Sequence, residues 1–262
     1  MQVAKSLYAA GRYQEALSAL ATPGVSSPDS YMLRGNIQFA LERFEDAITS
    51  YAHATHLDKA DNRVQYRLGV CLHQLERWAE ASQAFQKALE QDPHHDEARL
   101  ALGACLLHLN RREEALAHFD RCWSNAARPQ ALFGKAVVLQ QLGRLREAET
   151  AYQRVLALDP KTEETLANLI ALYMEAHDLE NARRYSMQLL ESSPESLTAL
   201  QALAAVALEN RQYDSAVRYC SRIVEQSPDC VEAWHNLRFA SGRMMSTLRA
   251  SAAAAGSTSV RK

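Results

Sequence analysis

Glycine and proline are scarce in this chain, 9 and 7 of 262 residues. So few breakers argue against many short strands joined by tight turns and favour helices, for which the plentiful Ala, Leu, Glu and Gln are strong formers. Aromatic residues are only 7% of the chain, so most apolar burial must come from Ala and Leu. Neither charge sign dominates: 29 Lys and Arg stand against 31 Asp and Glu, a net charge of −2. Such a chain has no overall attraction to nucleic acid or to an anionic membrane, and neither is expected as a partner. The longest apolar run, Ala202–Leu208, is far shorter than the ~20 residues of a membrane helix. No basic segment leads into an apolar run at the start, so no secretion signal is expected. The 5 cysteines are odd in number and scattered, which fits a reduced, cytoplasmic chain rather than a disulfide framework. Phosphate loops, HExxH, GxSxG, Gly-rich dinucleotide turns and CxxC pairs do not occur. No catalytic residue, cofactor or metal is therefore assigned, and the chain is expected not to be an enzyme.

A repeat is present instead. Ala16, Ala47, Ala81, Ala115, Ala148, Ala182 and Ala216 are spaced by 31, 34, 34, 33, 34 and 34 residues. Three residues before each anchor stands a bulky apolar residue (Tyr13, Phe44, Trp78, Leu145, Leu179, Tyr213), with Arg112 the exception. Four after come Leu20, Tyr51, Phe85, Phe119 and Tyr152, then the smaller Ser186 and Cys220. Twelve before sit Gly35, Gly69, Gly103, Ala136 and Ala204, with Ile170 breaking the rule. Twelve after, proline recurs at Pro28, Pro93, Pro160, Pro194 and Pro228. The pattern predicts two helices and a tight turn per unit. Small residues let the paired backbones approach, bulky ones fill the space between pairs, and proline marks the boundary because it cannot continue a helix. No single pair can bury its apolar faces, but stacked pairs can.

The pattern resembles the tetratricopeptide repeat (TPR) family over residues 1 to about 230, best in "YRLGVCLHQLERWAEASQAFQKALEQDP" (66–93) and "LGACLLHLNRREEALAHFDRC" (102–122). The resemblance implies an all-α, right-handed superhelical solenoid of about seven helix pairs plus a C-terminal capping helix. The pairs are expected near 1–22, 30–57, 64–91, 97–124, 130–158, 164–191 and 198–225, the capping helix at 231–250 and a disordered tail at 251–262. The segment from Val231 on carries five bases (Arg238, Arg243, Arg249, Arg261, Lys262) and one acid, Glu232.

Several residues resemble metal ligands. Cys71 and Cys105 lie 34 apart, the same place in successive units, on helices roughly 10 Å apart. That separation suits small buried side chains and not convergent ligands. His94 and His95 in "DPHHDE" read as solvated turn residues, and His53 and His56 as surface.

In TPR proteins the first helices line a concave face, and partner segments usually lie there. The resemblance thus nominates the first-helix residues that are not packing anchors: Met32, Asn36 and Phe39 in the second unit of the repeat; Arg63, Tyr66, Arg67, Val70 and His73 in the third; the bland Glu97, Leu100, Ala104 and Leu107 in the fourth; Phe133, Val137 and Gln140 in the fifth; Glu164, Asn168, Ala171 and Met174, with Glu175 close by, in the sixth; and Gln201, Ala205 and Leu208 in the seventh. Apolar area there would supply affinity and amides would satisfy a partner's backbone. Arg63 and Arg67 are one helical turn apart beside Tyr66, while Glu164 and Glu175 belong to a later unit, so the expected groove is polarised and takes carboxylates at its Arg end. "YMLRGNIQF" places Asn36 as in the subgroup that binds chaperone tails, but Met32 stands where that subgroup has Lys, so chaperone-tail binding is not expected. The function expected is a non-enzymatic adaptor binding a peptide or helix of a partner protein, acidic in character. The alternatives are the substrate-selecting part of a larger glycosyltransferase or methyltransferase, and a self-associating structural protein.

Overall fold

Helix-forming composition and the 34-residue recurrence translate directly into the computed structural model, which describes residues 1–21, 27–58, 62–122 and 128–259. Its fifteen helices are α1 (Gln2–Ala9), α2 (Tyr13–Ala19), α3 (Pro28–Ala40), α4 (Phe44–Leu57), α5 (Asn62–Gln74), α6 (Trp78–Gln91), α7 (Asp96–His108), α8 (Arg112–Asp120), α9 (Arg128–Gln141), α10 (Leu145–Leu158), α11 (Glu163–Glu175), α12 (Leu179–Ser192), α13 (Leu197–Glu209), α14 (Tyr213–Gln226) and α15 (Val231–Ser259). They form seven consecutive pairs and a final helix, with no strand among the described residues. Among those residues no helix is long and apolar enough to cross a membrane.

The chain divides into two compact units, Met1–Ala151 and Tyr152–Lys262. From α1 to α9 in the first unit, and from α11 to α15 in the second, each helix packs on the next. All seven anchor alanines are fully buried. In the first unit the small residue of the first helix and the aromatic of the second meet face to face. A Cβ added at Gly35 would lie 2.5 Å from the Tyr51 ring, one at Gly69 2.6 Å from Phe85, and one at Gly103 2.7 Å from Phe119. In the second unit one pair exchanges bulk, Ile170 in the first helix corresponding to Ser186 in the second, while Ala204 and Cys220 are both small; all four are buried. The irregularity at Ile170 is thus a conserved sum of volumes rather than a break in the packing rule.

The turn inside each pair has one conformation. Five residues before every anchor the backbone enters the left-handed region, at Gly11, Glu42, Glu76, Asn110, Gly143, His177 and Arg211, with φ between 56° and 73°. The next N–H reaches back five residues to a carbonyl of the first helix, as from Arg43 to Gln38 (2.8 Å), Arg77 to Leu72 (2.9 Å) and Gln212 to Ala207 (2.8 Å). This is the Schellman closure, which satisfies carbonyls left over at a helix end. In five pairs the residue that donates is an arginine, and its guanidinium then grips an acid three residues on: Arg12 to Glu15, Arg43 to Asp46, Arg77 to Glu80, Arg111 to Glu114 and Arg144 to Glu147. These exposed pairs orient the start of the second helix more than they stabilise it. In the sixth pair Asp178 takes over as a cap, accepting from the Asn181 N–H at 3.1 Å.

The last helix differs from its expected span. α15 continues past residue 250 to Ser259, where the run Ala252–Ala255 has the highest intrinsic helix propensity available. Arg261 and Lys262 lie outside the described residues, as do residues 22, 123 and 124 of the expected pairs.

Candidate functional site

Helical spacing brings five of the nominated residues to one cleft in the first unit. Met32 and Asn36 stand one turn apart on α3; Arg63, Tyr66 and Arg67 share a face of α5. Together with His95 they line a recess of about 280 Å³. Tyr66 forms its apolar floor. Its ring lies 5.9 Å from Phe85 and 4.6 Å from the His95 imidazole, centroid to centroid. Burial pushes the Tyr66 phenol up, opposed by the positive charge of Arg67, so the hydroxyl stays neutral. Asn36 is held in place by the buried Tyr51, whose hydroxyl donates to Asn36 Oδ1 at 2.7 Å. The bond occupies the carbonyl side of the amide and leaves its N–H groups as the donors. Arg63 and Arg67 are exposed at the rim, and Arg67 has no acidic partner of its own among the described residues.

His95 is the residue that sequence reasoning left among solvated turns. It is half-buried and caps α7, its Nδ1 accepting from the Ala98 N–H at 3.3 Å. Glu97 Oε2 is 3.2 Å from the same nitrogen. One ring nitrogen cannot accept from Ala98 and donate to Glu97 at once, so the cap and the contact with Glu97 are alternatives. Register would have found it: His95 lies fourteen residues after its anchor, where Thr162 and Ser196 precede the first helices of later pairs.

Other nominated residues sit elsewhere. Phe39 packs edge-on against Phe44 at 5.4 Å. His73 abuts the edge of Trp78 at 4.7 Å, and His108 stacks on Trp78 at 4.0 Å. Burial, reinforced by His108, pulls the His73 pKa down. Phe133 and Gln140 are half-buried on α9 and do not line the cleft.

In the second unit Asn168 hydrogen-bonds the buried Tyr152 phenol, whose pKa burial raises. Glu164 and Glu175 are exposed on α11. Met174 borders a separate recess of about 350 Å³ with Ala171, Gln201, Ala205 and Cys230 among its walls.

Among the described residues no three His, Cys, Asp or Glu side chains lie together as ligands would. Cys71 and Cys105 are both fully buried, and burial pushes each thiol up to about 12. A thiol so raised is protonated at neutral pH and presents no thiolate.

The arrangement therefore offers surface recognition: an apolar floor, amide donors and a cationic rim. Models of the tetratricopeptide repeat match residues 32–96, 74–132, 129–162 and 173–238. Comparison with curated proteins gives no match. Among solved structures, the C-terminal part of a TPR repeat-containing protein from Cytophaga hutchinsonii is similar at 17% identity and a TM-score of 0.77, over 90% of this chain and 98% of that one. PilW, a widely conserved type IV pilus biogenesis factor, is similar at 19% identity and a TM-score of 0.66, over 81% and 97%. YrrB, a TPR protein with an unusual peptide-binding site, is similar at 23% identity and a TM-score of 0.61, over 72% and 96%. At these identities the likeness bears on fold alone.

Proposed function

Because the chain belongs to the tetratricopeptide repeat family, whose members are in general protein-interaction scaffolds, we propose that it is a non-enzymatic adaptor that holds an acidic peptide segment of a partner protein on the first-helix face of residues 1–151. One observation carries the reading: Met32, Asn36, Arg63, Tyr66, Arg67 and His95 converge on one recess. Arg63 and Arg67 grip a carboxylate, for which guanidinium has the matching two-pronged geometry. Asn36 donates to the partner's backbone. Met32 and Tyr66 cover an apolar side chain next to the carboxylate. A peptide-binding site in a protein of this fold, YrrB, supports the assignment. On the same reading the recess beside Met174 in the second unit receives an apolar side chain. The setting is cytoplasmic, in keeping with five cysteines that stand as free thiols.

The docked segment gives up conformational entropy, so the affinity is modest. The test is affinity capture from native lysate with mass spectrometry, comparing the wild type with an Arg63→Glu/Arg67→Glu variant matched in helicity and melting temperature. A partner retained by the wild type and lost by the variant is the expected outcome. The same partners on both proteins would remove the cleft from the account.

A further inference from the structure

The geometry points to a second, independent interaction surface: the outward face of α15 docks an amphipathic helix of a partner protein that carries acidic residues about three turns apart. α15 occupies the place of a first helix. Residue 250 falls one 34-residue period after the anchor Ala216, yet the helix runs without a break through Met245, where every earlier pair turns. Among the described residues no second helix follows to pair with it. Its inner side is spent on its own unit, with Ala233 and Ala240 buried and Leu237 packed against the cluster around Cys220.

At 100° per residue Val231, Trp234, Arg238, Gly242, Met245 and Arg249 fall on one stripe on the opposite side. Val231 is 80% exposed, Trp234 52% and Met245 50%. Trp234 is not loose: its indole N–H donates to the Pro228 carbonyl at 2.9 Å, which presents the ring in a fixed pose. Large apolar side chains held out to solvent along one helix face mark a place where something docks.

Gly242 adds a separate observation. Glycine in a helix interior is destabilising relative to alanine, and a Cβ at Gly242 would meet nothing within 4 Å. No packing inside the chain calls for it, in contrast to Gly35, Gly69 and Gly103. A close crossing by an external helix does.

Charge decides between occupants. From Val231 to Arg249 the helix has three arginines and one acid, Glu232. Pairing α15 with α15 of a second copy, parallel or antiparallel, would gather four arginines along one seam, Arg238 and Arg249 from each copy. An acidic helix is attracted instead. Arg238 and Arg249 are exposed on the stripe, eleven residues and so about 16 Å apart, which sets the spacing of the partner's carboxylates.

The probes are two fluorescently labelled 22-residue amphipathic peptides with one leucine stripe, bearing Glu or Lys at two positions eleven residues apart, read by anisotropy on the full chain. The Glu peptide is expected to bind at least tenfold tighter than the Lys peptide. Arg238→Glu/Arg249→Glu is expected to invert that preference, which a merely misfolded variant would not do. Gly242→Leu, which meets no steric obstacle in the chain, is expected to weaken the Glu peptide at least tenfold. Equal binding of the two peptides, or a preference that the double reversal leaves unchanged, would overturn the inference. So would a concentration-dependent dimer in sedimentation that Gly242→Leu dissociates, because a second copy would then be the occupant.

Discussion

Replacing Gly69 with alanine tests the packing rule that builds the repeat. A Cβ there would stand 2.6, 2.7 and 3.0 Å from three atoms of the Phe85 ring, and that ring is fully buried with no room to retreat. Overpacking of this kind costs about 1–3 kcal/mol. Alanine in turn improves helix propensity by about 0.8–1 kcal/mol. The balance is a loss of about 1 kcal/mol, or about 2–4 °C in melting temperature for a unit of this size. Gly242→Ala is the internal control, since its Cβ meets nothing; it keeps only the propensity gain and should raise the melting temperature. Combining Gly69→Ala with Phe85→Leu should cost less than the sum of the two single changes, because the smaller side chain vacates the space that the methyl needs. Thermal melts followed by circular dichroism read all four proteins. If Gly69→Ala stabilises as much as Gly242→Ala, the face-to-face contact does not limit the approach of the helices and the reasoning fails.

Glu76 occupies the left-handed turn position with φ 57°, so Glu76→Gly should leave stability within about 0.5 kcal/mol of wild type, relief of backbone strain offsetting the entropy of glycine. Gly143→Val at φ 73° should lower the midpoint of urea unfolding. Burial pulls the pKa values of His73 and His118 below 6.5 in the folded chain, with His108 adding to the shift at His73 and Arg99 to that at His118. The unfolded chain therefore binds more protons as pH falls below about 6.5, and stability is lost in that direction. Melting temperatures between pH 7.5 and 5 should decline, and decline less in His118→Gln. Ellman's reagent should leave Cys71, Cys105 and Cys220 unmodified until the chain unfolds, since all three are fully buried; modification at the rate of an exposed thiol would contradict their packing role.

The architecture was legible because it rests on volume and breakers, which a single sequence displays. Anchor alanines, the small residues twelve before them and the aromatics four after them are one contact seen repeatedly. The turn was not legible in the same way. Five of its seven left-handed positions hold Glu, Asn, His or Arg rather than glycine; the backbone closure between two packed helices imposes that conformation against local preference. The arginine that follows it looks like any surface charge until its acid three residues on is seen in every such pair. Five of the six cleft residues were nominated by the family resemblance together with helix position, while His95 escaped because a cap belongs to a turn in sequence and to a helix in space. Ile170 looked like a fault for want of its partner, Ser186. The end of α15 was misplaced at 250 because small polar residues read as a tail, although the alanines among them extend the helix.

The most direct test of the central claim is calorimetric titration of an acidic peptide, selected on the wild type from a random library, into the wild type and into Arg63→Glu/Arg67→Glu. The account predicts that affinity falls at least tenfold in the variant, equivalent to about 1.4 kcal/mol, and that wild-type binding weakens as salt is raised. Equal affinity for both proteins, insensitive to salt, would contradict it.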